Sequence, residues 1–227
     1  MSEYCFNMET LNIADAQNEF RQALLLGNRI KGSAILRQFI EQKIPLPELY
    51  ESIIKKSLYQ VGELWEYNKI TVADEHIATA VTESLLNDFY QIIISNSRTG
   101  HKVVVGCVEN EMHQVGIKMV ADIFEMNGWD AFFLGANIPT SELIKYIHQV
   151  KPQVLALSVS IYFHIPMLEK MIAEIKKTFP LLIIIVGGQA FRHGSDEIFK
   201  NIENIHYLPD LQSIELFIKK YHENDKS

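Results

Sequence analysis

The hydrophobic pattern of this 227-residue chain changes its period near residue 100, and that change limits the fold more than any other feature. Up to about residue 95, apolar side chains recur at helical spacing, as Ile54, Leu58 and Val61 do. After residue 100, short β-branched runs such as 103–108 alternate with helical stretches. We therefore predict a helical part followed by an α/β part.

Turn-forming residues divide the helical part into four helices. Gly27, Pro45 and Asn68 interrupt the apolar pattern. Thr71 and Asp74 resemble a capping box at the start of the last helix, with Asp in place of Glu. The predicted helices run over about 11–26, 29–40, 47–65 and 71–94. Because the connections are short, the pattern predicts a small antiparallel bundle.

The α/β part predicts a five-stranded parallel sheet with helices on both faces, a doubly wound, Rossmann-like domain of the flavodoxin-like kind. A polar segment at 95–100 is the best linker, so we predict a helical-bundle domain over 1–98 and a Rossmann-like domain over 99–227. The fold class is thus α + α/β. A further helix is expected over 196–202. The predicted strands lie at 103–108, 131–134, 154–158, 181–186 and 205–207.

Charge and composition exclude several classes of protein. The chain has 21 basic and 28 acidic residues, a formal net charge of −7, which argues against a duplex DNA reader because such proteins carry a basic face. Its longest aliphatic run, 181–186, is far shorter than a membrane span, and its first ten residues do not resemble a signal peptide. Cys5 and Cys107 form neither a disulfide framework nor a Cys-x-x-Cys motif. We expect a cytoplasmic protein that is not associated with a membrane.

The loop after the first strand carries a carboxylate, an imidazole and a glycine, as Glu111, His113 and Gly116. This loop is not GxGxxG and lacks the lysine of a P-loop, so a dinucleotide or NTP site is not expected. An imidazole at the carboxyl end of a strand is well placed to bind a metal or act as a base. Glu111 can hydrogen-bond the far ring nitrogen of His113 and raise its basicity as a ligand. An ordinary polar loop accounts for these residues equally well.

Hydroxyl groups and glycines follow the next strands of the sheet. Ser158 and Ser160 come at the end of the third strand, and Gly187 and Gly188 at the end of the fourth. Each pair is weak evidence for a site when taken alone. Together the two pairs predict a slot for a flat or elongated ligand. His164 also follows the third strand, a position that allows it to neighbour the ligand, but we favour a solvated loop histidine.

Taken in order, Glu111-x-His113-x-x-Gly116, Ser158-x-Ser160 and Gly187-Gly188 resemble the signature of the cobalamin-binding domain, Asp-x-His-x-x-Gly followed by Ser-x-Leu/Thr and Gly-Gly. The resemblance implies that His113 is the lower axial cobalt ligand and that the displaced nucleotide tail of cobalamin lies near the serines and glycines. Gly116 would let this ligand approach the backbone. The chain departs from the signature in Glu111 and in Ser160.

The helical part carries a second resemblance. Trp65 is separated by nine residues from Glu75 and His76, a pattern similar to the Trp-x9-Glu-His signature of CarH-type adenosylcobalamin photoreceptors. In that family these residues cover the upper cobalt face, and the helical bundle caps it. Light-sensing members can carry a histidine after the tryptophan, where this chain has Glu66. Without the cobalamin motifs, a core tryptophan and an exposed Glu-His pair would be the simpler interpretation.

The two resemblances imply a cobalamin-binding sensor or regulatory protein that uses adenosylcobalamin to sense light. CarH-type regulators normally begin with a MerR-type DNA-binding domain, for which this chain has no separate segment. We therefore expect no direct DNA binding and an output through a protein partner such as a transcription regulator, with self-association compatible with this role. The alternative is the corrinoid subunit of a methyltransferase system, which carries a methyl group as methylcobalamin. In neither case is the chain an enzyme by itself.

Overall fold

The computed structural model describes residues 12–194, 198–199 and 202–225 of the chain. The chain forms two compact units, the first ending at Asn87 and the second beginning at Asp88. Most of the helix expected over 196–202 lies outside the described residues. No helix in these described ranges is long and apolar enough to cross a membrane.

The first unit is helical, as the sequence predicts. Its third predicted helix contains one π-helical turn, and the α3, π and α4 segments follow one another without a break. The elements are α1 (Ile13–Leu25), α2 (Arg29–Glu41), α3 (Leu46–Leu49), the π-helix Tyr50–Lys55, α4 (Lys56–Glu66) and α5 (Val72–Asn87).

Side chains at helical spacing build the core of this unit. Phe20 and Leu24 of α1, Leu36 of α2 and Leu86 of α5 are fully buried, and α1 contacts α2, α4 and α5. The predicted cap is present at the start of α5, where the Thr71 backbone N–H donates to Asp74 Oδ2 (2.8 Å) and the Asp74 N–H donates to Thr71 Oγ1 (3.3 Å). The four-helix interpretation of this segment is confirmed.

The second unit contains a five-stranded, all-parallel sheet in the order β2-β1-β3-β4-β5, which is the predicted doubly wound topology. It also contains α6, which contacts α7, so the polar segment 95–100 lies inside this unit rather than at its start. The elements are α6 (Tyr90–Ile93), β1 (Lys102–Cys107), α7 (Val115–Met126), β2 (Asp130–Gly135), α8 (Thr140–Val150), β3 (Val154–Ser158), α9 (Ile165–Thr178), β4 (Ile183–Gly187), β5 (Ile205–Tyr207) and α10 (Leu211–Asn224), with 3-10 turns at Tyr162–His164 and Gln189–His193.

Helix pairs cover the two faces of the sheet. Helix α7 contacts α10, and α8 contacts α9. The central strands β1 and β3 are buried along nearly their whole length, because each has a strand on both sides and helices on both faces. Strand β2 lies at the edge, and there Phe132 packs against the core while Phe133 is exposed. The apolar pair Phe132-Phe133 in the sequence predicts two core residues, and this prediction is wrong for Phe133.

Candidate functional site

Three neighbouring strands end in register at the carboxyl edge of the sheet. Cys107 of β1 pairs with Ser158 of β3, and Ser158 pairs with Gly187 of β4. The Val108 N–H donates to the Ser158 carbonyl oxygen (3.2 Å), and the Val159 N–H donates to that of Gly187 (3.0 Å). The loops after these strands therefore leave the sheet side by side, which is where open α/β sheets bind their ligands.

Glu111 is the buried centre of this edge. Its side chain has no exposed surface, and Oε1 accepts two hydrogen bonds from His113, one from the backbone N–H (3.0 Å) and one from Nδ1 (2.5 Å). The hydrogen bond between Glu111 and the His113 ring is the one predicted from the sequence. The His113 side chain remains 54% exposed. The buried carboxylate thus holds the His113 ring through Nδ1, while part of the ring remains exposed at the surface.

The second oxygen of Glu111 is bound from the neighbouring strand. Oε2 accepts hydrogen bonds from the backbone N–H groups of Ser160 (2.8 Å) and Ile161 (3.0 Å), and His164 Nδ1 lies 3.3 Å away. Burial alone would raise the pKa of Glu111, but the hydrogen bonds from His113, Ile161 and Ser160 outweigh it and hold the pKa well below the usual glutamate value. Glu111 is therefore ionised at neutral pH.

An ionised carboxylate can only accept hydrogen bonds, so His113 Nδ1 must carry the ring proton. In the neutral imidazole, Nε2 then holds the lone pair, which is the state that a metal ligand requires. The same logic makes His164 Nδ1 a donor to Glu111.

The loop that carries Glu111 and His113 is held by its neighbours. The Asn137 N–H donates to the Glu111 carbonyl oxygen (2.9 Å), and the Asn110 N–H donates to Asn137 Oδ1 (2.9 Å). The Cys107 thiol donates to the His113 carbonyl oxygen (3.5 Å). Burial, with the Glu111 charge as a second cause, raises the pKa of Cys107 to about 12, so this cysteine remains a thiol. The loop after β1 is thus fixed from both β1 itself and the loop after β2.

Gly116 lies in the first turn of α7, on the exposed surface. A Cβ atom at this position would have no heavy atom within 4 Å, and its backbone has no positive φ angle. Neither packing nor backbone conformation within the described residues requires a glycine here. An external molecule that approaches the backbone would require one.

Gly187 and Gly188 are required by the fold itself. A Cβ on Gly187 would lie 2.8 Å from the Leu208 carbonyl oxygen, and a Cβ on Gly188 would collide with the Val159 carbonyl oxygen. Gly188 also has a φ of +115°. Ser158 is buried and Ser160 half-buried beside them. The predicted slot residues Ser158, Ser160, Gly187 and Gly188 therefore lie together at this edge of the sheet.

Exposed apolar side chains flank the Glu111–His113 pair. Met112 precedes His113, and Ile161, Tyr162 and Phe163 follow Ser160; all four are exposed, Phe163 to 86%. A cluster of exposed apolar side chains around a polar group is typical of a ligand-binding surface.

The other three predicted site residues belong to the helical unit. Trp65, near the end of α4, is 46% exposed. Glu75 is in the first turn of α5, where its Oε1 accepts a hydrogen bond from Thr79 Oγ1 (2.8 Å). His76 is 74% exposed, with Nε2 3.7 Å from Glu75 Oε2. Trp65 is therefore partly exposed, whereas the simpler interpretation required a buried core tryptophan.

His164 is the site residue that the sequence did not identify. Its side chain is only 23% exposed and contacts Glu111, so the expectation of a solvated loop histidine is wrong. One sequence signal could have identified it: His164 follows β3, and β3 is the neighbour in the sheet of β1, the strand that precedes Glu111.

Comparisons with known proteins agree with this geometry. A family model described as a B12 binding domain matches residues 101–207, and a second model with the same description matches residues 16–87. Together the two ranges take in most of the chain.

The HTH-type transcriptional repressor CarH of Myxococcus xanthus is 24% identical over 151 residues, 66% of this chain and 50% of that protein. Trimethylamine corrinoid protein 1 of Methanosarcina acetivorans is 25% identical over 118 residues, 49% of this chain and 53% of that protein. The chain thus spans about half the length of these curated relatives. The monomethylamine corrinoid protein of Methanosarcina barkeri shares the fold, with a TM-score of 0.77 at 12% identity over 92% of this chain and 100% of that one. With both its helical and its α/β part matched, the chain belongs to the family of cobalamin-binding domain proteins.

Proposed function

We propose that this cobalamin-binding protein is an adenosylcobalamin-dependent light sensor that acts through protein–protein contact, with His113 as the lower cobalt ligand. The observation that carries the ligand assignment is the pairing of His113 Nδ1 with the buried Glu111 carboxylate. This pairing holds the proton on Nδ1 and leaves the lone pair on Nε2, at a ring that is half-exposed.

The residues at the carboxyl edge of the sheet fit a cobalt ion that is already coordinated by a macrocycle. Within the part of the chain that the structure describes, no group of three or more His, Cys, Asp or Glu side chains is arranged to hold a metal ion. A corrin ring would supply four nitrogen ligands of its own, so His113 would be the one ligand needed from the protein. The exposed apolar residues Met112 and Phe163 suit the large apolar surface of such a ring.

The slot residues suit the nucleotide tail. Gly116 leaves open space above the start of α7, and the hydroxyl groups of Ser158 and Ser160 are donors and acceptors for a polar chain. Gly187 and Gly188 keep the neighbouring backbone free of side chains. In this proposal the tail passes along the carboxyl edge of the sheet.

The sensing part of the proposal rests on Trp65, Glu75 and His76. An indole offers a flat apolar surface to an adenosyl group, and the Glu75 carboxylate can accept hydrogen bonds from ribose hydroxyls. The exposure of Trp65 supports this role because a large aromatic side chain on a helix is more often buried. When bound, adenosylcobalamin supplies a cobalt–carbon bond that light can break.

Loss of the upper group would remove contacts that Trp65 and Glu75 make only in the dark state. A ligand shifts a conformational equilibrium by its difference in affinity for the two states, so removing these contacts changes the population of the helical unit's conformations. The surface offered to a partner such as a transcription regulator, or to a second copy of the chain, would change with it. Catalysis by the chain alone is not part of this proposal.

A methyl carrier is the second candidate function. It is favoured by the similarity to the trimethylamine corrinoid protein and by the shared fold of the monomethylamine corrinoid protein. In that function, His113 would hold methylcobalamin in the same way, and a partner enzyme would supply the chemistry. Trp65 and Glu75 would then have no adenosyl group to recognise.

Reconstitution with adenosylcobalamin in the dark, followed by illumination, separates the two functions. A sensor binds adenosylcobalamin more tightly than methylcobalamin, and its absorption spectrum and oligomeric size change after light. Equal or weaker binding of adenosylcobalamin, or no change in oligomeric size and partner binding after light, contradicts light sensing. His113→Ala should remove the spectrum of histidine-bound cobalt, and an unchanged spectrum would refute the ligand assignment.

Trp65→Ala tests the helical unit directly. It should reduce the preference for adenosylcobalamin over methylcobalamin, because the indole contacts only the larger upper group. Tyr67→Ala is the matched control, since Tyr67 is an exposed aromatic residue two positions further along. If both variants keep the wild-type preference, Trp65 does not recognise the adenosyl group.

A further inference from the structure

A cluster of ring side chains lies where β1 and β2 begin, at the opposite edge of the sheet from the cobalamin motifs. Trp129 precedes β2 and is fully buried, and His101 precedes β1, with 4.9 Å between the two ring centroids. Tyr221 and His222, near the end of α10, have ring centroids 5.0 and 6.0 Å from that of Trp129. The cluster therefore joins the end of α10 to the start of two strands.

A hydrogen bond between two rings makes this junction depend on protonation. The Trp129 Nε1–H donates to His222 Nε2 at 2.9 Å. An indole nitrogen can only donate, so Nε2 of His222 must hold a lone pair. A protonated imidazole carries a hydrogen on both nitrogens and accepts no hydrogen bond. The contact can therefore exist only while His222 is unprotonated.

The neighbouring histidine has a polar atom that the closed cluster leaves unsatisfied. His101 Nε2 lies 3.0 Å from Asp225 Oδ2, and because a carboxylate oxygen accepts, Nε2 donates. His101 Nδ1 then holds a lone pair, and in the described part of the chain it is the one buried side-chain nitrogen or oxygen without a hydrogen-bond partner. Burying such an atom costs free energy that contact with water would recover. The closed cluster is therefore held at a cost.

A protonated His222 has partners in its own helix. Asp225 follows it by three residues, a spacing that brings two side chains together on the surface of a helix. The carbonyl groups at the C-terminal end of α10 also attract a positive charge, and His222 lies in the last turn. Uptake of a proton thus removes the bond to Trp129 and favours contacts within α10 instead.

Charged groups from the other elements around the cluster are bonded elsewhere. Arg98, in the segment before β1, donates to Glu125 Oε2 of α7 at 2.6 Å and to the Trp129 carbonyl oxygen at 2.9 Å. Its Nε also lies 3.8 Å from Asp130 Oδ1 of β2. Lys102 of β1 donates from Nζ to a backbone carbonyl oxygen at the end of α8 (3.5 Å).

On α10 itself, burial, with the charge of Asp225 as a second cause, raises the pKa of Tyr221, so its hydroxyl is uncharged at and below neutral pH. His206 of β5 lies against Phe217, more than one turn before His222, at 5.6 Å between ring centroids. The other charged side chains near the end of α10 are exposed, and they are Lys219, Lys220 and Glu223. Histidine normally titrates between about pH 5 and 8, so the two histidines are the groups of the cluster that change charge there.

We infer that the hydrogen bond between Trp129 and His222 is a pH-sensitive latch, which holds the end of α10 against the start of the sheet and releases it when His222 takes up a proton. Release brings the Trp129 N–H and His101 Nδ1 into contact with water, so neither stays buried without a partner. Because α10 packs on α7, release also uncovers part of α7. The latch lies within the α/β unit and needs no bound cofactor.

Fluorescence of Trp129 reports the latch directly. The chain has two tryptophans, so Trp65→Phe leaves Trp129 as the sole emitter in the cofactor-free full chain. Between about pH 7.5 and pH 5.5, the range in which histidine gains its proton, the emission maximum should shift to longer wavelength as the indole meets water. Over the same range, hydrogen exchange of the backbone amides in the last two turns of α10 should become about tenfold faster, as loss of a buried hydrogen bond allows.

His222→Gln, made in the same background, is the decisive variant. Its amide oxygen can accept from Trp129 Nε1 at every pH and it does not titrate, so emission and exchange should stay constant. His148→Gln is the matched control, an exposed histidine on α8, and should respond as the background does. His101→Gln keeps a donor for Asp225 and should also keep the response. If His222→Gln does not fold, Asp225→Asn, which removes the partner of the protonated ring, should require a lower pH for the same change.

Three results would overturn the inference. The first is an emission maximum that does not move with pH in the Trp65→Phe background. The second is a response that persists in folded His222→Gln or, where Asp225→Asn replaces it, an unchanged pH dependence; loss of the response in His101→Gln alone would assign it to His101. The third is an emission shift without faster exchange in α10, because His222 would then alter the surroundings of the indole without releasing the helix.

Discussion

Gly116→Ala should make the protein more stable and its cofactor binding weaker. The position is helical, exposed and surrounded by open space, so an added methyl group meets no protein atom. Glycine within a helix costs about 0.5–1 kcal/mol relative to alanine because it loses more backbone freedom on folding. Since Gly116 is only the second residue of α7, we expect a gain of about 0.5 kcal/mol, or roughly 1–2 °C in the unfolding midpoint of the cofactor-free protein.

The same methyl group should hinder cobalamin. If the ligand packs against the backbone at Gly116, the added Cβ occupies space that the ligand needs, and overpacking of this kind costs about 1–3 kcal/mol. A loss of about 1.4 kcal/mol corresponds to a tenfold weaker affinity. Gly116→Leu, with a larger side chain, should weaken binding further while leaving the apo protein folded.

Thermal unfolding of the apo proteins and equilibrium dialysis with adenosylcobalamin measure the two effects separately. Gly128→Ala is the contrasting control: it lies away from the sheet edge, has a φ of +80°, and its Cβ would collide with the Ser97 carbonyl oxygen. It should lower stability without a specific effect on affinity. Wild-type affinity in both Gly116 variants would refute the argument, because no ligand would then approach α7 at this point.

Three further predictions concern stability. Glu111 has a depressed pKa in the folded protein, so its charge contributes stability above the unfolded value of about 4.3 that is lost as pH falls toward the folded pKa. In urea unfolding of the apo protein, Glu111→Gln should therefore lose less stability than wild type between pH 5 and pH 3 (roughly the window in which an unfolded glutamate titrates); equal losses would contradict the assignment. Gly188→Ala should lower stability by about 2 kcal/mol or more, because the new side chain combines a positive φ with a collision against Val159; a midpoint within error of wild type would argue against this packing. Trp129→Phe removes the hydrogen bond from the buried indole Nε1 to His222 Nε2 (2.9 Å) and should cost about 1–2 kcal/mol in thermal unfolding, a loss that substitution of the exposed Phe163 by leucine should not reproduce.

The strands were predictable from the sequence because parallel strands that are buried on both faces require continuous apolar runs. β1 and β3 carry such runs and lie where the sequence predicts them. The edge strand β2 differs, because it has a neighbour on one side only, and Phe133 there is exposed beside Lys118. Position within the sheet, which the local pattern does not contain, decides whether an apolar residue in a strand is buried.

The same distinction applies to the site. Glu111 and His113 are two residues apart in one short loop, so their hydrogen bond followed from local spacing. The contact between Glu111 and His164 spans 53 residues and exists because β1 and β3 are neighbours in the sheet. The bonds from Ser160 and Ile161 come from backbone N–H groups, which every residue except proline carries, so residue type gave no signal for them.

The lower side of the site does not by itself distinguish a sensor from a carrier. Burying the Glu111 charge is costly, and the fold offsets that cost with donors, among them the ring Nδ1 of His113. That arrangement serves any cobalamin, whatever group occupies the upper face. Discrimination between adenosyl and methyl groups must therefore come from residues that reach the upper group, and in the function proposed above these are Trp65, Glu75 and His76. It follows that substitutions at His113 test whether the chain binds cobalt through histidine, whereas substitutions of the proposed recognition residues in α4 and α5 test what the bound cofactor is used for.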